Sequence, residues 1–148
     1  MTLHANKAIV QLFIAEVWNA DILAAADALV HPDYALEGIG RGPDAVRSNV
    51  AAYRAAFPDL AWTIEQMVAE GDWVAVRLTL RGTHLGPLGG IPPTGKRVAM
   101  KEMAFWRVTG DRLRAVWSVG DALGLRVQLG ALPPESWQQP VRGAEDPT

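Results

Sequence analysis

The apolar period of this chain changes once, at Pro58, and that single change restricts the folds open to it. Before Pro58 the apolar residues Ile9, Val10, Phe13, Ile14 and Val17 recur at three- and four-residue spacing, which predicts an amphipathic helix over Asn6–Trp18. A second, short helix is expected from about Asp21, as N-cap, to Val30, where His31-Pro32 forces the backbone out of helical geometry. Tyr34–Glu37 reads as a short extended piece. Gly42-Pro43-Asp44 then opens a third helix with proline in its first turn, and Val46, Val50, Tyr53 and Phe57 form its apolar face.

After Pro58 the chain is rich in Val, Leu, Thr, Ile and Trp. Four strands are expected, over Leu60–Val68, Trp73–Thr83, Arg97–Val108 and Arg112–Val119. Glu70-Gly71-Asp72 and Thr109-Gly110-Asp111 read as hairpin turns, so the strands form an antiparallel meander. A last helix is expected from Asp121 to Leu129. Helices followed by strands define an α+β fold with the helices on one face of the sheet. A sheet this long must curl around them, and diverging layers leave a conical cavity suited to a small apolar ligand. The expected organisation is one domain over residues 1–132 and a flexible tail, rich in proline and glycine, over residues 133–148.

The segment Gly82–Lys96 joins two strands but is too long for a hairpin turn, and its glycines and prolines shape a specific path. His84 stands at its root. There an imidazole can face the cavity as a hydrogen-bond donor or anchor the loop backbone.

A formal net charge of −2 with 20% charged residues argues against a nucleic-acid partner. There is no cysteine, and His4, His31 and His84 are too scattered for a metal motif, so no metal cofactor is expected. No apolar run is long enough to cross a bilayer and the first residues lack the pattern of a secretory leader, which gives a cytoplasmic expectation.

Several pieces together carry a family resemblance: Val17-Trp18-Asn19, Phe57-Pro58-Asp59-Leu60 leading to Thr63-Ile64-Glu65, the Glu70-Gly71-Asp72 turn, Gly82-Thr83-His84 with Gly90–Lys96, and Asp121-Ala-Leu-Gly-Leu125 with Gln128-Leu129-Gly130. In this order the chain resembles the SnoaL-like polyketide cyclases of the nuclear transport factor 2-like superfamily, from about Ala5 to Gly130. The resemblance implies a cone-shaped α+β barrel, of nuclear transport factor 2-like or cystatin-like form, in which a curved sheet wraps the N-terminal helices. It further implies a homodimer through the outer sheet face and acid/base chemistry without a cofactor. It also implies a histidine and an aspartate flanking the tryptophan of the last strand, where this chain has Val116 and Ser118, and a histidine after the early strand, where it has Glu37.

Strand parity selects other candidates. The family pattern aligns Met100, Glu102, Ala104 and Trp106 inward, and Val116 and Arg114 inward with Ser118. A carboxyl among Trp, Met and Leu has its ionised form disfavoured, so Glu102 is the leading catalytic candidate; an ion pair with Arg114 or Arg107 is the structural alternative. Asp121 has the chemistry of a base but stands where an N-cap belongs. Glu37 can line the pocket and share a proton with Glu102, or be a solvated strand end. Trp18, Trp106 and Ser118 complete the expected substrate-binding set. The implied function is a cyclase or isomerase moving protons on a small apolar, carbonyl-bearing or polycyclic compound such as a polyketide. An epoxide hydrolase or hydratase, and a non-catalytic ligand-binding or dimerisation module, are the alternatives.

Overall fold

The computed structural model describes residues 2–138. Helix α1 spans Leu3–Leu12, with the Thr2 side chain accepting the Ala5 N–H at 3.0 Å. It continues directly into a π-helical segment, Phe13–Asn19, whose wider turn leaves Phe13, Ile14, Val17 and Trp18 all buried. The end of this helix is clamped to the sheet. Asn19 donates its Nδ2 to the Trp62 carbonyl at 2.9 Å and accepts the Trp62 N–H on Oδ1 at 2.7 Å, imitating a strand partner.

Asp21 does not cap the second helix. It takes a left-handed backbone, φ 57°, with its carboxylate 3.5 Å from Arg54 Nε. The helix starts instead with a tight turn at Leu23–Ala25 followed by α2, Ala26–Leu29, and Val30 is extended, as the approach of Pro32 requires. Strand β1, Ala35–Leu36, pairs with β2, Gly40–Arg41, a two-residue strand that sequence periodicity is too short to reveal. Helix α3 covers Gly42–Ala56 and ends at Phe57.

Strands β3 (Ala61–Glu70), β4 (Trp73–Thr83), β5 (Arg97–Thr109) and β6 (Arg112–Gly120) form one open antiparallel sheet in sequential order, as the turn chemistry predicts. Val74, Val76, Leu78 and Leu80 of β4, and Val98, Met100, Ala104, Trp106 and Val108 of β5, pack against the apolar stripe of α1 and against Val50 and Phe57. Helix α4, Ala122–Gln128, follows β6. Pro134–Gln138, at the start of the segment expected to be flexible, is a helical turn; the rest of that segment lies outside the described residues.

Two register shifts interrupt the parity. One lies between Ile64 and Gln66 of β3; the other sits opposite Arg107/Val108, where Leu113 pairs with Val108 and Ala115 with Arg107. Arg114 is the extra residue, so the alternation linking it to Val116 and Ser118 breaks there. Leu113 enters the core in its place. The Arg114 guanidinium lies 2.6 Å from Asp33 and 2.6 Å from His31 Nδ1.

The long loop is tied down along its length. The His84 N–H donates to Lys96 and the Gly95 N–H to His84, while the N–H groups of Leu85 and Gly86 both donate to the Ala56 carbonyl at the end of α3. A Cβ at Gly86 would stand 2.0 Å from the Ala55 carbonyl oxygen, so only glycine permits this approach. Gly86→Ala should therefore lower stability by about 2–3 kcal/mol, the upper range for overpacking. Gly90→Ala, where a Cβ meets nothing within 4 Å, should cost less despite its positive φ; chemical denaturation of both variants checks the order.

Candidate functional site

Glu102 projects from the concave side of β5 between Met100 and Ala104, both buried, while Lys101, Met103 and Phe105 face outward. Its strand partner is Gly120. A Cβ at Gly120 would meet Glu102 Oε2 at 3.4 Å and Met100 Cε at 3.5 Å, so the missing side chain is what makes room for the carboxyl. Ser118, two residues earlier on the same face of β6, lies close enough for its hydroxyl to favour the ionised form of Glu102. Glu102 is half-buried and Ser118 exposed, which puts the pair where the concave face opens to solvent.

Both cations weighed as partners for Glu102 are committed elsewhere. Arg107 Nε binds Asp72 at 2.8 Å and Arg114 binds Asp33 at 2.6 Å; among the described residues no ion pair involves Glu102. Burial without a counter-charge raises the Glu102 carboxyl from its ordinary range to about 7, against the smaller opposing pull of the Ser118 hydroxyl. The group therefore exchanges a proton near neutrality.

Two aromatic hydroxyls of the helical layer lie within range of the charge of this carboxyl. Tyr34, just before β1, is 2% exposed and accepts the Trp106 Nε1–H at 3.0 Å. Tyr53, on the apolar face of α3, is half-buried, and its ring meets Trp18 edge to face at 5.7 Å. Burial raises both phenols, and the charge of Glu102 adds to the rise in each. Sequence reasoning treated Tyr53 as core and Tyr34 as the start of an extended piece. The helical spacing that puts Tyr53 in line with Val46 and Val50 carried the signal, but periodicity does not distinguish a core phenol from one facing a site.

The remaining expected residues fall in different places. Trp106 lies against the site, holding Tyr34, and Trp18 borders it through Tyr53. Asp121 accepts the Gly124 N–H at 2.8 Å and caps α4. Glu37 is exposed in the turn between β1 and β2, away from any shared proton, because Gly38 and Gly40 reverse the chain there through positive φ. His84 is fully buried, with Nδ1 accepting the Thr94 N–H at 3.2 Å and 3.0 Å from the Thr94 hydroxyl; it anchors the loop. Glu102 pairs with Leu78, and His84 lies further along β4 by roughly 20 Å at the rise of an extended strand. The two therefore do not act on one small group together. The Asp-Arg-Asp set that epoxide hydrolysis requires is absent from the concave face among the described residues. Arg47 does bind both Asp27 at 3.0 Å and Asp44 at 2.6 Å, but those carboxylates are exposed to solvent on α2 and α3, while Thr83 holds the Asp59 carboxyl below its usual range and Arg107 does the same for Asp72.

The geometry is thus an α+β cone with an unpaired, half-buried acid on its concave face. The family is settled by sequence. The model of the SnoaL-like polyketide cyclases matches residues 8–129, and the chain belongs to that family. It is similar to the nogalonic acid methyl ester cyclase of Streptomyces nogalater, 36% identical over 110 residues covering 70% of this chain and 82% of that one. It is also similar to the aklanonic acid methyl ester cyclase of Streptomyces peucetius, at 35% identity over 68% of this chain and 67% of that one. Among solved structures, TsrD from Streptomyces laurentii superposes with TM-score 0.83 at 28% identity, covering 89% of this chain and 99% of that one. A SnoaL-like polyketide cyclase from Agrobacterium tumefaciens gives 0.76 at 25% identity, over 88% and 100%. No helix among the described residues is long and apolar enough to cross a membrane.

The raised carboxyl has a consequence for stability. An unfolded glutamate loses its proton near pH 4.5 and the folded one near 7, so between these values the folded chain keeps a proton that the unfolded chain has released. The stability that this one group contributes is then fully present below about pH 4.5 and is lost as pH rises through 7. Glu102→Gln removes this loss: the variant should exceed the parent protein at pH 8 by on the order of 1–3 kcal/mol, the gap closing toward pH 4. Parallel pH-stability curves for the two proteins would contradict the unpaired carboxyl.

Proposed function

We propose that the protein is a cofactor-independent cyclase in which Glu102 is the general base, removing a proton α to a carbonyl of an apolar, polyketide-like ester so that the carbanion closes a ring by intramolecular aldol addition. The observation that carries this reading is Glu102 itself, on a concave face without a cation and with a carboxyl poised near 7. The Ser118 hydroxyl, near it on the adjoining strand, favours the ionised carboxylate. The family pattern implied an aspartate at position 118. Glu102 offers a carboxyl to the same spot from the neighbouring strand, with Gly120 leaving the space.

The methyl esters named for the two relatives are the substrates to try first. Glu102→Gln should reduce ring closure by about 10²–10⁴-fold, the usual worth of a positioned base. In the parent protein kcat/KM should rise with pH through an apparent pKa near 7, because the base must be ionised. A Glu102→Gln variant that keeps its rate overturns the reading.

The reading includes a homodimer. Val68, Met103, Phe105, Trp117 and Val119 are all more than half exposed on the outer sheet face, and Trp73 and Trp117, 5.0 Å apart, border a groove of about 1010 Å³ there. An apolar surface on adjoining strands favours a self-complementary partner. Replacing Trp117 and Phe105 together by Glu should convert a dimer to a monomer in sedimentation velocity; a parent protein already monomeric at micromolar concentration would overturn this part.

A further inference from the structure

We propose that Tyr34 and Tyr53 are the hydrogen-bond donors that hold the oxyanion formed when Glu102 takes its proton, with Trp106 as the positioning residue for Tyr34. The inference rests on the cyclase reading and extends it to residues that neither the family comparison nor the sequence singled out.

The argument begins with a donor that cannot accept. The indole N–H of Trp106 can only donate, and at 3.0 Å it occupies a lone pair of the Tyr34 hydroxyl. The Tyr34 proton must then point away from Trp106, and among the described residues it is given to no acceptor. A phenol this deeply buried does not leave a proton idle without cost, so the position fits one that a ligand oxygen completes. Tyr53 offers a second such proton from the opposite layer. Its ring is fixed edge-on by Trp18, itself edge-on to Trp62 at 5.9 Å, and its hydroxyl has no partner among the described residues. Both phenols stand near enough to Glu102 to feel its charge.

The step balances without a co-reactant. The C–H proton moves to the Glu102 carboxylate, which becomes a neutral acid, and the electron pair of the broken bond passes to the carbonyl oxygen. The negative charge thus leaves the carboxylate and appears on the oxygen that the phenols face. Both phenols are held protonated by burial, so they donate hydrogen bonds to the enolate rather than protons.

A probe tests this without the natural substrate. The phenolate of 2-naphthol has the charge and flat shape of an enolate, and Glu102→Gln protein imitates the state after proton transfer. In that background Tyr53→Phe and Tyr34→Phe should each weaken naphtholate binding about tenfold or more, the worth of a hydrogen bond to a charged group. Trp106→Phe should weaken it only while Tyr34 is present, a coupling that a packing defect would not produce. With Glu102 intact, Tyr53→Phe should lower kcat about 10–100-fold, change KM by less than about threefold and leave the pH limb near 7 in place. Tyr53 donates no hydrogen bond within the described structure, so its loss should leave the melting temperature nearly unchanged and keeps the test open if Tyr34→Phe destabilises the fold. Equal naphtholate affinity in both phenylalanine variants, with Glu102→Gln still inactive, overturns the donors and leaves the base standing; an active Glu102→Gln removes both.

Discussion

The site depends on one packing arrangement: the inward row of β4 and β5 pressed against the apolar stripe of α1 and its π-helical continuation. Phe13, Val17 and Trp18 close one side of the concave face, and Trp106, Met100 and Leu78 form the other. Buried apolar surface of this kind is worth roughly 25 cal/mol per Å², so the layer readily carries one polar residue at its margin. Glu102 is that residue. The cost of keeping a carboxyl there is met by a proton, not by a cation, which makes it useful for proton transfer and also makes it a source of instability above neutral pH.

The arginines explain why no cation arrives. Both arginines weighed as partners for Glu102 are held by an acid from a turn: Arg107, on the outward row of β5, by Asp72 beside the β3–β4 hairpin, and Arg114 by Asp33 before β1. The bulge in β6 completes the separation, since it rotates Arg114 out of the row shared by Val116 and Ser118 and puts Leu113 in the core. A regular β6 would have aimed a guanidinium at the concave face.

Strands, turns and the capping role of Asp121 were legible because each leaves a local mark: alternation in Trp73–Thr83, the Gly71 and Gly110 turns, a short acidic side chain before a helix. The inward parity of Glu102 was equally legible, since β5 is unbroken through that region. What could not be read was anything set by a single extra residue or by two distant elements. The bulge at Arg114 leaves the composition of β6 strand-like throughout, and the π-helical turn keeps the same apolar residues inward as an ordinary helix would. Glu37 was misplaced for a related reason: its exposure follows from β2, a strand only two residues long. The bond from the Trp106 indole to Tyr34 joins two segments 72 residues apart, and no local pattern encodes it.

The loop after β4 shows how the same chain separates anchoring from chemistry. His84 has the side chain best suited to proton transfer at neutral pH, yet it lies beyond Gly82, at the far end of β4 from the pairing with Glu102. Its Nδ1 accepts from Thr94, which fixes the proton on Nε2, and that buried nitrogen has no partner among the described residues. The ring packs beside Phe57 at 5.6 Å and satisfies the loop through Thr94, while its backbone binds Lys96 and Gly95. Of the two roles that the sequence left open for His84, cavity-facing donor or loop anchor, the structure places it in the second, and Glu102 has a raised carboxyl because no such partner reaches it.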